Sequence, residues 1–266
     1  MTETNKTHPW RLSQTTLKEV REHKYEVAVL PCGATEPHNL HLPYGIDTLQ
    51  AAEVGDRACA FAWEQGARVA LLPAIPFGAD QNLLEFPLTI SLDQELLDRI
   101  VASVAQSLEK SGIQKLVVLN SHGGNNFKGG IRALCLRSPV FCCAIDWWQV
   151  GLAEGGRQLF DAPSLDHADE METSILLAVA PEQVHLEWAD AGAVKPSRFE
   201  AGRKGWVWYP RPWKKLTTNA GSGDPRQATA EKGRRFLALA TERIGKFLVE
   251  LAAAKRDETF PFGPES

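Results

Sequence analysis

The sequence predicts an α/β fold of three layers, in which helices cover both faces of a mostly parallel central sheet. Short apolar runs of strand length alternate with longer segments of helical spacing along most of the chain. At 266 residues, of which 44% are hydrophobic, the chain is also long enough to bury a large core. Sheets of this kind place their functional sites at the carboxyl ends of the strands.

Four apolar runs are the predicted strands, and the helical segments lie between and after them. The strands are expected at 26–31, 69–75, 115–120 and 140–146. The helices are expected at about 47–65, 93–111, 126–136 and 227–255. Between 192 and 224, dense Trp, Pro and Gly predict a long ordered loop beside a pocket or an interface. Without a linker or a repeat, the sequence predicts one domain over residues 1–266, with its core at about 26–255.

Charge and composition exclude several classes of protein. A net charge of −4 offers no basic field for nucleic acid, and no run approaches the roughly 18 apolar residues of a membrane span. Residues 1–13 are polar and lack the apolar core of a signal peptide, which predicts a cytoplasmic protein. The five cysteines are odd in number and lack finger spacing, so they are predicted to be reduced and mostly buried, without a functional role.

A dense polar segment at residues 35–47 directly follows the first predicted strand. Glu36 and His38 are alternate residues of an extended stretch, so both side chains point the same way. Asp47 opens the next helix, where a helix cap completed by Gln50 is the alternative to a metal ligand. Carboxylate and imidazole donors without a thiolate favour Zn, Mn or Fe held for catalysis over a structural zinc site.

Two later segments place further polar side chains near the same edge of the sheet. His122 follows the third strand in a glycine-flanked turn, which is also an ordinary entry to a helix. In the segment 167–174, helical spacing puts Glu172 on the apolar inward face and Glu170 on a more polar face, expected to be solvated. A buried carboxylate is costly unless it is paired or binds a metal, so Glu172 is a candidate ligand. A buried salt bridge or a favourable place in the helix dipole is the alternative.

Three polar motifs follow one another along the chain. A Gly-x-x-Glu-x-His-x-x-His-Leu-Pro-x-x-x-Asp block spans 33–47, a His-Gly-Gly-Asn turn spans 122–125, and a His-x-x-x-x-Glu-Thr-Ser block spans 167–174. Together they resemble the signatures of the creatininase (creatinine amidohydrolase) family, and segment 221–233 resembles a fourth signature. The resemblance implies an α/β/α fold, a homo-oligomer that is often a hexamer, and two divalent metal ions per chain (Zn, Mn or Fe).

The resemblance also assigns roles to single residues. The ligands that it implies by motif position are Glu36, His38, Asp47 and His122. Asp47 is expected to bridge the two ions. In the family, the remaining ligand is a glutamate at the position that Gly124 occupies here. We therefore expect Glu172 to supply the missing ligand. His167 is the predicted catalytic group, moving a proton to the leaving group, with orientation of a metal ligand as the alternative role.

The predicted activity is that of a metal-dependent amidohydrolase with a small-molecule substrate. We expect a metal-bridged hydroxide to hydrolyse a non-peptide C–N bond in a small cyclic amide. Creatinine itself is disfavoured as the substrate, because the chain departs from the family pattern at two places. Family members often have a histidine followed by Phe-Pro-Gly-Thr where this chain has residues 83–89, and Pro37 and Asn39 stand in place of the usual Gln and Gly. The alternatives are a formamide deformylase, a hydrolase that opens a keto-cyclitol or sugar-derived ring, and a non-catalytic metal-binding assembly subunit.

Two further features would refine the choice of substrate. Trp147 and Trp148 follow the fourth strand and can stack on a flat ring, although core or interface packing is an equal expectation. A phosphorylated substrate would need basic side chains near the site. The candidates are Lys128, Arg132, Arg198, Arg203 and Lys204.

Overall fold

The computed structural model describes residues 8–263, which contain a four-stranded, fully parallel sheet. Its strands are β1 (Val27–Cys32), β2 (Val69–Leu71), β3 (Lys115–Asn120) and β4 (Phe141–Asp146). Their order is β2-β1-β3-β4, with every neighbouring pair parallel. The prediction of a parallel sheet is confirmed. Residues 1–7, which carry about half of the segment behind the cytoplasmic prediction, lie outside the described range.

Helices connect the strands and complete the chain. In order they are α1 (Leu17–Glu22), α2 (Ile46–Glu64), α3 (Gln94–Lys110), α4 (Phe127–Leu134), α5 (Trp147–Ala153), α6 (Glu170–Val179), α7 (Glu200–Arg203), α8 (Trp213–Leu216) and α9 (Ala230–Ala253). None of the helices within 8–263 is long and apolar enough to cross a membrane. The predicted loop at 192–224 is largely irregular and contains only the two short helices α7 and α8.

The sheet is covered on both faces, because successive strand residues point to opposite sides. On one face, Val29 of β1 belongs to a buried cluster with residues of α2 and α9, such as Phe236. On the other face, Leu30 packs with residues of α3 and α4, including Leu97. Each of these apolar side chains contributes about 1.5–3 kcal/mol on burial. The three layers follow directly from this two-sided apolar pattern.

Some element boundaries differ from the predicted ones for local reasons. β2 is only three residues long, although Leu72 and Ile75 still donate to the carbonyls of Val29 and Pro31 in β1. These donors are three residues apart and their acceptors two, so one extra residue interrupts the regular ladder. Helix α2 begins at Ile46 with Gly45 as its N-cap residue. Asp47 therefore lies inside the first turn, and the helix-cap alternative for this residue is wrong.

The order of the strands fixes where a site can form. From β1 the chain crosses to β2 on one side, whereas from β3 it crosses to β4 on the other side. The connections thus leave the neighbouring strands β1 and β3 in opposite directions, which opens a crevice at their carboxyl ends. The loops 33–45 and 121–126 both start in this crevice.

Candidate metal centre

The five predicted metal ligands come from distant parts of the chain and lie together in the crevice between β1 and β3. Glu36, Asp47 and His122 form one group whose donor atoms lie within 4.8 Å of one another, and His38, Asp47 and Glu172 form another. Asp47 belongs to both groups. Its Oδ1 is 3.3 Å from His38 Nε2, and its Oδ2 is 3.1 Å from His122 Nδ1. These two adjacent three-donor groups therefore share one carboxylate.

The donor atoms fit a pair of divalent ions. Three of them, Glu36 Oε2, His38 Nε2 and Asp47 Oδ2, are buried and have no hydrogen-bond partner. An unsatisfied buried polar atom costs about 1–3 kcal/mol, and a cluster of three such atoms is expected where an ion binds. Nitrogen and carboxylate oxygen donors in threes are typical of catalytic Zn and Mn sites.

The loop after β1 holds His38 in the orientation of a ligand. The Nδ1 atom of His38 lies 3.0 Å from the backbone carbonyl of Glu36, which leaves Nε2 facing Asp47. The next residue, Asn39, has a φ of 54° in the left-handed region, and its side chain donates to Asp190 at 2.9 Å. Asparagine tolerates this conformation better than other residues with a side chain. It can therefore stand where the resemblance expects glycine.

Glu172 reaches the site from the first turn of α6. Its Oε2 accepts a hydrogen bond of 2.7 Å from the backbone N–H of Ala168 and lies 3.9 Å from His38 Nε2. A Cβ added at Gly124 would come within 2.3 Å of His122 Nε2 and 2.4 Å of the Ala79 carbonyl oxygen. With His122 placed as observed, position 124 has no room for a side chain, whereas Glu172 already points at the site.

The prediction that Glu170 is solvated is wrong. Glu170 is fully buried, accepts a hydrogen bond from the backbone N–H of Ala162 and forms an ion pair with Lys232 of α9. Helical spacing describes only the faces of α6 itself, and Lys232 lies 62 residues further along the chain. Glu170 therefore belongs to a structural ion pair, separate from the metal-ligand candidates.

His167 is buried beside the two groups. Its Nε2 lies 3.0 Å from the Pro37 carbonyl oxygen, so this nitrogen carries the proton, and Nδ1 faces Glu36 Oε1 at 3.8 Å. The ring lies between those of His38 and Trp213, at centroid distances of 4.2 and 4.7 Å. The unprotonated Nδ1 thus faces the site, close enough to Glu36 and His38 to join them as a third metal ligand.

Burial and charge shift the pKa values in this cluster in opposite directions. Burial, followed by the positive charge of His38, lowers the pKa of His167 to about 3. Burial also raises the pKa of Glu36 to about 7, although His122 opposes this. For His122 burial opposes the charged form, but neighbouring carboxylates outweigh it and raise the pKa well above the usual value. His167 is thus neutral, whereas His122 holds a proton that a bound ion must replace.

Several residues near the site have roles that the sequence did not reveal. Asp80 is completely buried and lies 2.8 Å from His122 Nε2. It occupies a loop without periodic pattern, so no local signal marks it. His41, in the loop after β1, is buried and bonds to Thr173 Oγ1 at 2.8 Å, outside the three-donor groups.

A cavity of about 540 Å³ opens above the candidate ligands. Its wall includes Trp148 and the aromatic part of the 192–224 loop, among them Trp208 and Trp213. Trp147 instead lies in the core, where it donates to Ser121 Oγ. None of the five basic candidates for phosphate binding lines this cavity in the described part of the chain. Arg211 is the one lysine or arginine among the lining residues described, and it is paired with Asp166 at 2.6 Å.

Sequence comparisons match most of the chain. The Creatininase family, described as creatinine amidohydrolase, matches residues 12–248. A mycofactocin precursor peptide peptidase from Mycobacterium ulcerans is 33% identical over 221 residues, which is 79% of each chain. A 3-dehydro-scyllo-inosose hydrolase from Thermotoga maritima is 29% identical over 187 residues, 65% of this chain and 57% of that protein.

Solved structures match the fold over nearly its whole length. One from Bacteroides fragilis, provisionally described as a creatinine amidohydrolase, has a TM-score of 0.86 and 37% identity and covers 95% of this chain and 100% of its own. A creatininase structure named for Mn has a TM-score of 0.77 and 22% identity, and the match covers 92% of this chain and 99% of that one. These matches confirm the predicted three-layer α/β fold.

Proposed function

Since this chain belongs to the creatininase family, whose characterised relatives are hydrolases, we propose that it hydrolyses a C–N bond of a small amide with two divalent ions. The observation that carries the proposal is the sharing of Asp47 between two three-donor groups at the floor of the cavity. One ion would be held by Glu36, Asp47 and His122, and the other by His38, Asp47 and Glu172. When bound, such a pair activates a water molecule and polarises a carbonyl oxygen.

His167 is the proposed acid–base group. Its Nε2–H is fixed by the Pro37 carbonyl oxygen, so a proton can be accepted only at Nδ1, the atom that faces the site. With Nδ1 unprotonated and directed at the site, His167 can take a proton from the attacking water and pass it to the leaving nitrogen. The Pro37 carbonyl then stabilises the transient imidazolium. Trp213 packs on the ring and limits the access of bulk water.

The cavity favours a neutral, flat substrate. Its volume of about 540 Å³ lies within the range of small-molecule sites. Arg211, the one arginine or lysine described in the lining, already bonds to both oxygens of Asp166, so the lining offers no free Arg or Lys cluster for a phosphate. Trp148 on the wall offers an aromatic face to a ring. These features support a cyclic amide as the first substrate class.

The relatives favour two further substrate classes. The peptidase relative suggests an amide of a peptide, and the exposed Trp208, which is 86% accessible at the cavity wall, is placed to contact such a chain. The inosose hydrolase relative suggests a keto-cyclitol ring. A formamide would also fit the cavity. The homo-oligomer and the cytoplasmic location stay predictions from the sequence.

The test is a substrate panel with protein stripped of metal and protein loaded with Zn²⁺ or Mn²⁺. Cyclic ureas and amides, formamides, keto-cyclitols and short peptides are incubated with each preparation, and products are measured by mass spectrometry. We expect about two ions per chain by elemental analysis and turnover that depends on them. Bound ions without turnover of any class would favour the non-catalytic alternative. Turnover in stripped protein would refute the metal-dependent mechanism.

A further inference from the structure

Asp80 is a buried carboxylate that the proposed mechanism does not use. It lies on the side of His122 that faces away from Glu36 and Asp47, with Oδ1 2.8 Å from His122 Nε2. Its side chain is completely buried, and neither of its oxygens has a well-aligned hydrogen-bond donor among residues 8–263. Ser91 Oγ accepts from its backbone N–H at 2.8 Å. His122 Nε2 also lies 3.5 Å from the backbone carbonyl oxygen of Ala79. A buried carboxylate needs a partner, and among the described residues the ion-pair contact of Asp80 is with His122.

We propose that Asp80 is a positioning residue for the metal centre, holding the Nε2–H form of His122 so that Nδ1 is aimed at the ion. The inference rests on the proposed two-ion site. In a neutral imidazole one nitrogen carries the proton and the other donates its lone pair, and a hydrogen bond to one nitrogen decides which. His122 Nδ1 lies 2.9 Å from Glu36 Oε1 and 3.1 Å from Asp47 Oδ2, on the ion side. A carboxylate behind a ligating histidine also strengthens its basicity.

The surroundings of the ring show that this orientation is built into the loops. A Cβ at Gly78 would come within 2.9 Å of His122 Cδ2, and one at Gly124 within 2.3 Å of Nε2. The backbone at these two glycines therefore packs closely against the His122 ring, and Asp80 lies beside Nε2. The absence of a ligand side chain at position 124 and the presence of Asp80 are thus parts of one arrangement, in which space near Nε2 is reserved for the Asp80 contact.

The experiment measures ion binding rather than turnover. Full-length protein stripped by a chelator is titrated with Zn²⁺ by calorimetry, for wild type, Asp80→Ala and Asp80→Asn. Asp80→Ala should bind one of its two ions about 10–100-fold more weakly. Asp80→Asn should lose less, because its amide oxygen still accepts from Nε2–H. The matched control is Asp56→Asn, the same change on α2 at a carboxylate paired with Arg11, and it should bind both ions as wild type does.

A second measurement reports the state of His122 directly. In Zn²⁺-loaded protein with ¹⁵N-labelled histidine, the wild type should show a hydrogen-bonded Nε2–H for His122. This signal should shift in Asp80→Asn and be lost by exchange with water in Asp80→Ala. A solely structural role for Asp80 would leave the signal in place.

The outcomes separate this proposal from the proposed function. Wild-type protein that binds two ions but turns over no substrate defeats the hydrolase activity alone. Unchanged affinity at both sites in Asp80→Ala, with wild type binding two ions, overturns the role of Asp80 alone. An equal loss in Asp56→Asn also overturns it, because the effect would then be general destabilisation.

Discussion

Replacing Glu172 by glutamine tests the least expected member of the proposed ligand set. The amide keeps the size of the side chain and an oxygen that can accept from Ala168 N–H, so the change removes mainly one negative charge. Glu172 Oε2 lies 3.9 Å from His38 Nε2, and its side chain is 14% exposed. Two unit charges at this spacing of the donor atoms interact by about 4 kcal/mol at an effective dielectric of ~20. We take this value as the least that the Glu172 charge contributes to holding a divalent ion, which would lie closer and carry two charges.

The expected effect on ion binding follows from this value. A neutral amide oxygen retains part of the attraction to a cation, so we expect a loss of about half of that value, ~2 kcal/mol. Since roughly 1.36 kcal/mol is tenfold, this sets the expected weakening of the binding of one ion at about 30-fold or more. Isothermal titration of chelator-stripped protein with Zn²⁺ measures the two sites separately. The site that contains His122 should keep its affinity, since it shares only Asp47 with the weakened one.

Two further variants make the test specific. Glu170→Gln changes a neighbouring carboxylate of α6 that pairs with Lys232, so it should lower stability but leave both ion affinities unchanged. Gly124→Glu added to Glu172→Gln should not restore binding, because its Cβ would collide with His122 and the Ala79 carbonyl. Two ions bound by Glu172→Gln with wild-type affinity would refute the assignment. Rescue by Gly124→Glu would refute the argument about space at position 124.

Three other perturbations test the acid–base group, a helix end and a pH-dependent ion pair. His167→Asn should lower kcat by about 10²–10⁴-fold while two ions stay bound, and loss of an ion would instead show that His167 is a ligand. Lys115→Met removes three hydrogen bonds to carbonyls at the end of α9. It should lower the free energy of unfolding, measured by urea denaturation, by about 1–3 kcal/mol, and an unchanged value would contradict this. Burial opposes the charge on Asp56, but the hydrogen bonds from Arg11 outweigh it and hold the pKa of Asp56 below 3.8. The ion pair therefore stabilises the fold above pH 3.8, and this stabilisation is lost as the pH falls through the folded-state pKa. The gap in unfolding free energy between wild type and Asp56→Asn should therefore narrow from pH 7 to pH 3, and a constant gap would contradict the ion pair.

Local patterns predicted the elements well where burial is two-sided. The residues of β3 are apolar along nearly the whole strand, and its predicted and observed limits agree. Element ends were less accurate, because they depend on local details such as the extra residue between Leu72 and Ile75 and the N-cap residue Gly45 before α2. Glu36 and His38 could be paired from sequence, since neighbours in an extended segment keep their spacing whatever the rest of the fold does.

The candidate ligands were thus available from motifs and spacing, and the α/β class from alternating apolar runs. The tertiary structure alone decided which polar groups meet between elements. Lys232 of α9 buries Glu170, and Asp80 reaches His122 from a loop with no periodic pattern. Such contacts join segments far apart in the chain, and their energy depends on the orientation of both partners. A periodic pattern reports which face of one element is buried, but it carries no information on what lies opposite that face.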